Sequence, residues 1–232
     1  MTDFIKAGIC NWVFDLDNTL YPAECNLFAQ IDQRMGAFIA QLLDVDRTEA
    51  RRVQKDYYHR YGTTLNGLMQ EHQLAPHLFL DYVHDIDHSV LPQLPALRAA
   101  IETLKGRKFI FTNGSKRHGE QVAEKLGLLD LFEDVFDIAA ADFVPKPNRV
   151  AYDRFLKRYE IEPETAVMFE DLHANLQRPH ELGMTTVLVH STYEDHPCQK
   201  ERLSWARRPL HIHHETDDLT GFLQQVGSAQ SR

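Results

Sequence analysis

Asn11-Trp12-Val13-Phe14-Asp15-Leu16-Asp17-Asn18-Thr19-Leu20-Tyr21-Pro22 is the stretch on which the fold of this chain turns. The strand candidate Ile9 to Phe14 runs straight into two carboxylates, Asp15 and Asp17. A short apolar run of this kind, ending in acidic residues, has the pattern of a buried parallel strand whose carboxyl end opens onto a site. Two carboxylates two residues apart repel each other unless a cation lies between them. One of them can attack while the other handles protons. Taken alone, the same residues also suit an acidic turn or a helix cap.

Outward from this strand the pattern becomes helical. Phe28, Ile31, Met35, Phe38, Ile39, Leu42 and Leu43 recur at three- and four-residue spacing. Asp46-x-x-Glu49 reads as a capping box opening a second helix. A third and a fourth follow around Leu65–Glu71 and Leu78–Ile86. After Leu91-Pro92 strands and helices alternate: helix Ala96–Leu104, strand Lys108–Phe111, helix Gly119–Leu126 stopped by Gly127, and strand Val135–Ile138. Helix Val150–Tyr159, strand Ala166–Phe169, a helix ending before Gly183 and strand Thr185–Val189 complete the series. Alternation of this kind specifies βαβ units around a parallel sheet. The expectation is an α/β, doubly wound, Rossmann-like core over residues 1–21 and 92–232, with an inserted helical cap over 22–91. Ligands in such sheets bind beyond the strand carboxyl ends.

Composition is that of an ordinary globular protein: 232 residues, 43% hydrophobic and 25% charged. No apolar run approaches the roughly 20 residues needed to span a bilayer. Met1-Thr2-Asp3-Phe4-Ile5-Lys6 lacks the basic and apolar regions of a signal peptide. Cys10, Cys25 and Cys198 are scattered, which argues against a disulfide framework or a zinc site and predicts reduced thiols in a cytoplasmic protein. The net charge of −9 comes without a basic stripe, disfavouring nucleic acid polymers and anionic membranes as partners. It also repels phosphates, so any phosphate site must be locally cationic, through a metal or a placed lysine. Oligomeric state is not legible.

Three further strand ends carry polar residues. Thr112-Asn113-Gly114 offers a hydroxyl and exposed backbone amides suited to phosphoryl oxygens. In Pro145-Lys146-Pro147 two prolines restrain the backbone around one ammonium. Glu170-Asp171 pairs carboxylates in a manner that favours a hard divalent cation. An ordinary turn would explain the first and a solvated lysine the second, but the order and spacing of the set point to one site.

With these four motifs (Asp15-x-Asp17-x-Thr19, Thr112, Lys146 and Glu170-Asp171) the sequence resembles the haloacid dehalogenase superfamily of phosphatases over nearly its whole length. The stretch Asp15 to Pro22, with Tyr61-Gly62-Thr63-Thr64-Leu65, His84-Asp85-Ile86-Asp87 and Phe111-Thr112-Asn113-Gly114, resembles its pyrimidine 5′-nucleotidase branch. Leu172-His173 departs from common members, which often carry a small hydroxyl residue after the acidic pair, whereas Asn175 keeps the familiar pattern.

The resemblance implies a Mg²⁺-dependent phosphate monoester hydrolase working through an aspartyl-phosphate, with a small-molecule phosphate monoester as its partner. Asp15 would be the nucleophile and Asp17 the acid and base. Mg²⁺ would be held by the Asp15 carboxylate, the Asp17 carbonyl and Asp171, with Glu170 binding directly or through water. Lys146 would neutralise charge, and Thr112 and the Asn113 amide would hold phosphoryl oxygens. Tyr61, Thr63 and Thr64 are candidates for contacting the leaving group, and a pyrimidine nucleotide 5′-monophosphate is the leading substrate. A sugar-phosphate or phosphoglycolate phosphatase shares every core residue; a non-catalytic phosphate-binding regulatory protein would share only the scaffold. His84 and Asp85 are expected to brace the cap hinge, and Tyr57 and Tyr58 to pack. His211, His213 and His214 are expected as surface or sheet-edge histidines rather than a zinc site, and Arg207-Arg208 as a solvated pair.

Overall fold

The computed structural model describes residues 8–191 and 197–230. The segment 1–6, read above for a leader, lies outside the described residues. The elements are β1 (Asn11–Phe14), α1 (Leu27–Leu43), α2 (Arg47–Tyr61), α3 (Thr64–His72), α4 (Pro76–Val83), α5 (Pro95–Glu102), β2 (Arg107–Phe111) and α6 (Lys116–Leu126). Then follow β3 (Asp134–Phe136), α7 (Arg149–Tyr159), β4 (Ala166–Glu170), α8 (Gln177–Leu182), β5 (Thr185–Val189), α9 (Pro197–Leu203), β6 (His214–Thr216) and α10 (Leu219–Gln230). The six strands form one parallel sheet in the order β3-β2-β1-β4-β5-β6, the doubly wound arrangement in which strand order reverses beside β1.

Alternation along each strand divides the core between the two faces of the sheet. Trp12, Phe14, Ile110, Val167, Phe169 and Val187 join one cluster, which α5, α6 and α10 cover with Ile101, Val122, Leu126, Phe222 and Leu223. Val13, Phe109, Phe111, Phe136 and Met168 join the other, covered by Tyr152, Phe155 and Tyr159 of α7. Burial on both faces explains why the strands read as continuous apolar runs.

Helices α1 to α4 lie between β1 and β2 in sequence and build a third cluster, with Ile31, Ile39, Val53, Leu65, Leu68, Phe79 and Val83 buried together with Ile138 from beyond β3. Asp46 caps α2 by accepting from the Glu49 amide at 2.9 Å. The Glu49 carboxylate instead grips Arg52, so only half of the expected capping box forms. Several boundaries shift from the sequence reading: β1 starts at Asn11 rather than Ile9, and α4 spans Pro76–Val83 rather than Leu78–Ile86. β3 stops at Phe136 because Asp137 turns to accept from the Lys116 and Ala140 amides, freeing Ile138 to pack under the inserted helices. α6 starts at Lys116, since Ser115 caps it by accepting from the His118 amide. β6 and α10 extend the core beyond the last strand read from sequence. No helix among the described residues is long and apolar enough to cross a membrane.

Candidate active site

Register assembles the site. Phe14 lies opposite Phe169 in the β1–β4 pair, and their rings stack with centroids 4.6 Å apart. The next residues, Asp15 and Glu170, therefore leave adjacent strands side by side. On the other flank Phe14 lies opposite Ile110, bringing the end of β2 and Thr112 to the same rim. After Asp15 the chain turns tightly: the Thr19 and Leu20 amides both donate to the Leu16 carbonyl, and Asn18 takes a left-handed φ of 61°. This turn returns Thr19 to Asp15 and aims Asp17 into the crevice.

Lys146 stands at the centre, 2% exposed. Its ammonium donates to Asp15 Oδ1 at 2.7 Å, to Glu170 Oε1 at 2.7 Å and to the Phe111 carbonyl at 2.8 Å, which uses all three of its protons. Asn113 fixes the lysine's backbone from both sides: its Oδ1 accepts from the Lys146 amide and its Nδ2 donates to the Lys146 carbonyl. The Asn113 side chain is thus a clamp on the loop, which leaves only its backbone amide for the phosphoryl role expected from sequence. Thr19 donates to Asp15 Oδ2 at 3.0 Å. Thr112, almost fully buried, accepts from the Gly114 amide and keeps its own hydroxyl proton to donate.

Glu170 is spent on the protein: Oε1 also accepts from Asn175 at 2.6 Å, and Oε2 accepts from the Leu172 amide at 2.9 Å. The familiar Asn175 and the unfamiliar Leu172 thereby serve the same carboxylate, Leu172 through its backbone. Asp15, Glu170 and Asp171 each bring a carboxylate oxygen within 4.8 Å of the others. Burial, with Glu170 alongside, pushes Asp15 up to about 7 despite Lys146. Burial, then Glu170 and Asp15, push Asp171 well above the usual carboxylate range. Burial opposes the Lys146 charge, but Asp15 and Glu170 outweigh it and hold the lysine above its ordinary value. Three buried carboxylates around one ammonium are an excess of negative charge made of hard oxygen donors, and that chemistry fits a divalent cation such as Mg²⁺.

Asp17 has partners the sequence did not announce. The Tyr21 hydroxyl donates to its Oδ1 at 2.6 Å, and His118 Nε2 lies 3.0 Å from the same oxygen. Burial pushes the Asp17 carboxyl up, but His118 and the hydrogen bonds from His118 and Tyr21 overcome it and leave the group below its ordinary value. His118 was legible in principle. Once α6 begins at Lys116, His118 shares the buried face with Val122 and Leu126, a four-residue repeat that a helix begun at Gly119 hides.

The cap-side candidates sit apart from this network. Gly62, at φ 82°, passes so close to the Pro145 ring that a Cβ there would lie 3.6 Å from Pro145 Cγ, which sets the Tyr61–Thr64 segment on the Lys146 loop. Its side chains are otherwise engaged. Tyr61 bonds Glu71 and Arg60, Thr63 caps α3 by accepting from the Asn66 amide, and buried Thr64 donates to the Gln54 carbonyl. Tyr57 packs and bonds His72 at 2.7 Å. His84 stacks on His118, whereas Asp85 pairs with Arg34 at the surface. His211 and His213 pair with His173 and His180 at 3.3 and 3.2 Å, His214 opens the edge strand β6, and Arg207 and Arg208 are exposed.

Residues 12–177 match the family described as haloacid dehalogenase-like hydrolase. The curated relative "Phosphate metabolism protein 8" of Saccharomyces cerevisiae is 26% identical over 207 residues, covering 82% of this chain and 64% of that protein, so the chain spans less than two thirds of its relative's length. Among solved structures, a HAD phosphatase from Thermococcus onnurineus superposes with a TM-score of 0.61 at 19% identity, over 94% of this chain and 98% of the other. L-2-haloacid dehalogenase from Xanthobacter autotrophicus superposes with a TM-score of 0.55 at 16% identity, over 94% and 98%. Phosphatase and dehalogenase share the fold, so the fold does not separate their chemistries.

Proposed function

The chain belongs to the haloacid dehalogenase-like hydrolases, and on that premise we propose that it is a Mg²⁺-dependent phosphate monoesterase with Asp15 as nucleophile. The observation that carries the choice of phosphate over halide is Asp17, a carboxylate held in the crevice two residues beyond Asp15. A halide leaves without a proton; an alkoxide needs one.

Asp15 and Asp171, with the Asp17 backbone carbonyl that the family resemblance implies, would hold the metal. Glu170, whose oxygens already accept from Lys146, Asn175 and the Leu172 amide, would orient the set from behind. When bound, the cation offsets the repulsion between carboxylate and phosphate dianion. Lys146 keeps Asp15 fixed and its charge balanced, while the Thr112 hydroxyl and the Asn113 amide receive phosphoryl oxygens. An Asp15 oxygen attacks phosphorus as the bond to the leaving oxygen breaks, and Asp17 gives that oxygen its proton. The negative charge of the arriving substrate raises the proton affinity of Asp17, so it enters the reaction protonated. Asp17 then takes a proton from water as the water oxygen bonds to phosphorus, which releases phosphate and restores Asp15.

For the substrate, the reading is a pyrimidine nucleotide 5′-monophosphate. The core touches only phosphate and metal, so selection falls to the inserted helices acting as a cap over 22–91, with the Tyr61–Thr64 segment seated on Pro145. Because Thr63 and Thr64 are tied to the insert itself, they would act by holding the segment's shape, and Tyr61 by its ring. Unpaired Cys10 and Cys25 suit a cytoplasmic setting. A hydrolysis panel of UMP, CMP, AMP, GMP, glucose 6-phosphate, 2-phosphoglycolate and an aryl phosphate, with and without Mg²⁺, tests both levels. UMP or CMP should give the highest kcat/KM. A sugar phosphate or phosphoglycolate in first place rejects the nucleotidase reading alone, and no Mg²⁺-dependent hydrolysis of any member rejects the phosphatase.

A further inference from the structure

His118 has no part in the chemistry above, yet it is 0% exposed and its Nε2 lies 3.0 Å from Asp17 Oδ1. As a carboxylate Asp17 can only accept, so Nε2 carries the proton and donates. Tyr21 donates to the same oxygen at 2.6 Å. Asp17 Oδ2 takes no hydrogen bond among the described residues, and the side chain keeps 16% exposure toward the crevice. The other imidazole nitrogen of His118, Nδ1, is buried without a partner, an unfavourable state that placing Nε2–H on Asp17 entails.

The ring is also braced from behind. His84, at the end of α4, stacks on it with centroids 4.4 Å apart and planes 8° from parallel. His84 Nδ1 lies 2.9 Å from the Ser115 hydroxyl, whose oxygen accepts from the His118 amide. Gly114 completes the fit: a Cβ there would stand 3.2 Å from His118 Cδ2, 3.3 Å from Thr112 Oγ1 and 3.6 Å from His84 Nε2. Any larger residue would press on the His118 ring and on the threonine while touching His84.

From this geometry we infer that His118 is a positioning residue for Asp17. With Tyr21 it pins Oδ1, so that Oδ2 alone exchanges the proton, and His84 holds the pinning ring in place. The inference rests on the reading of Asp17 as acid and base. A carboxylate free to turn about its last torsion would offer either oxygen over a wide range of angles, whereas two donors converging on one oxygen remove that freedom before substrate arrives.

The test uses the full chain at saturating Mg²⁺, with kcat and KM measured over aryl phosphates of graded leaving-group pKa and one alkyl phosphate. His118→Gln can still extend an N–H to Oδ1; His118→Asn is too short to do so. We expect His118→Gln to stay within a few-fold of the parent. His118→Asn should lose up to about 10²-fold in kcat on the poorest leaving groups, little on the best, with KM held. Asp17→Asn should show the same graded pattern, more steeply. A uniform loss across the series in His118→Asn, or no loss, overturns the inference while a graded Asp17→Asn leaves the proposed function standing. An ungraded Asp17→Asn removes the acid and the inference together. Should His118→Asn fail to fold, Tyr21→Phe removes the other donor and must give the same gradient; a flat profile there overturns the pinning.

Discussion

Lys146 Nζ lies 2.7 Å from Asp15 Oδ1, a contact closed across 131 positions of sequence in a pocket neither side chain leaves. The same ammonium serves Glu170 at 2.7 Å, so a single cation compensates the ends of two neighbouring strands. Loss of one partner from a buried pair of this kind exposes the others to an uncompensated charge.

Lys146→Ala should therefore lower the unfolding free energy by about 3–5 kcal/mol, read by urea denaturation at neutral pH. The loss should shrink as pH falls through about 7, because Asp15 becomes neutral and no longer needs the ammonium. A pH-independent loss would mean that the lysine matters for packing rather than charge.

Asp15→Asn keeps the shape of the nucleophile and leaves Lys146 paired with Glu170. Turnover should drop by on the order of 10⁴-fold or more, while the melting transition stays cooperative. Substantial activity in a folded Asp15→Asn sample would remove Asp15 from the mechanism.

The metal prediction follows from linkage. Asp15 has its folded-state value raised from 3.8 to about 7, so its contribution to stability is fully present below 3.8 and is lost as pH rises through 7. Asp171 moves in the same direction. His84, pushed down to about 3 chiefly by burial, acts oppositely: its unfavourable protonation destabilises the fold as pH falls below 6.5. The difference between melting curves with and without Mg²⁺ cancels the histidine and isolates the carboxylates. That difference should be near zero at pH 4 and grow up to about pH 7, since the cation binds the ionised forms. A Mg²⁺ shift that does not grow across this window would place the cation elsewhere.

Asp171→Ala should raise the Mg²⁺ concentration for half-maximal activity more than Glu170→Gln does. For the latter, acting from behind the ligands, about 10–100-fold is expected. The reverse order in a Mg²⁺ titration would exchange the two roles.

Thr63→Ala removes the cap of α3 and should cost about 1 kcal/mol of stability, measured by urea denaturation, whereas Thr63→Ser should cost far less. Equal losses would show that the methyl group, not the hydroxyl, is what α3 uses.

Much of this was open to reading before any coordinates. Asp15, Lys146, Glu170 and Asp171 stand at strand ends that announce themselves as apolar runs, and parallel register brings such ends together. Asp17's surroundings were not legible in the same way. Tyr21 and His118 reach it from a turn and from the buried face of α6, and no local periodicity says which polar atom a side chain will meet. Thr63 and Thr64 illustrate the converse: hydroxyls near a predicted pocket turned out to be bonded within the inserted helices. The edge strand β6 spans only His214–Thr216, with no fully buried position, so its histidines read as sheet-edge residues while its bounds could not be drawn from an apolar run.

The strand order also bears on how the chain leaves the ribosome. β1 emerges early, but its neighbours are residues 107–110 on one side and 166–169 on the other. The four inserted helices, whose buried cluster among the described residues is drawn from 31–83 apart from Ile138, with Ile86 and Phe143 packed against it, come next and can collapse locally while β1 still lacks both flanks. Asp15 cannot meet Lys146 until more than half of the chain has been made, nor Glu170 until β4 is complete. A nascent chain therefore carries Asp15, the proposed nucleophile, through most of synthesis as an ordinary aspartate, and its full set of partners arrives with β4.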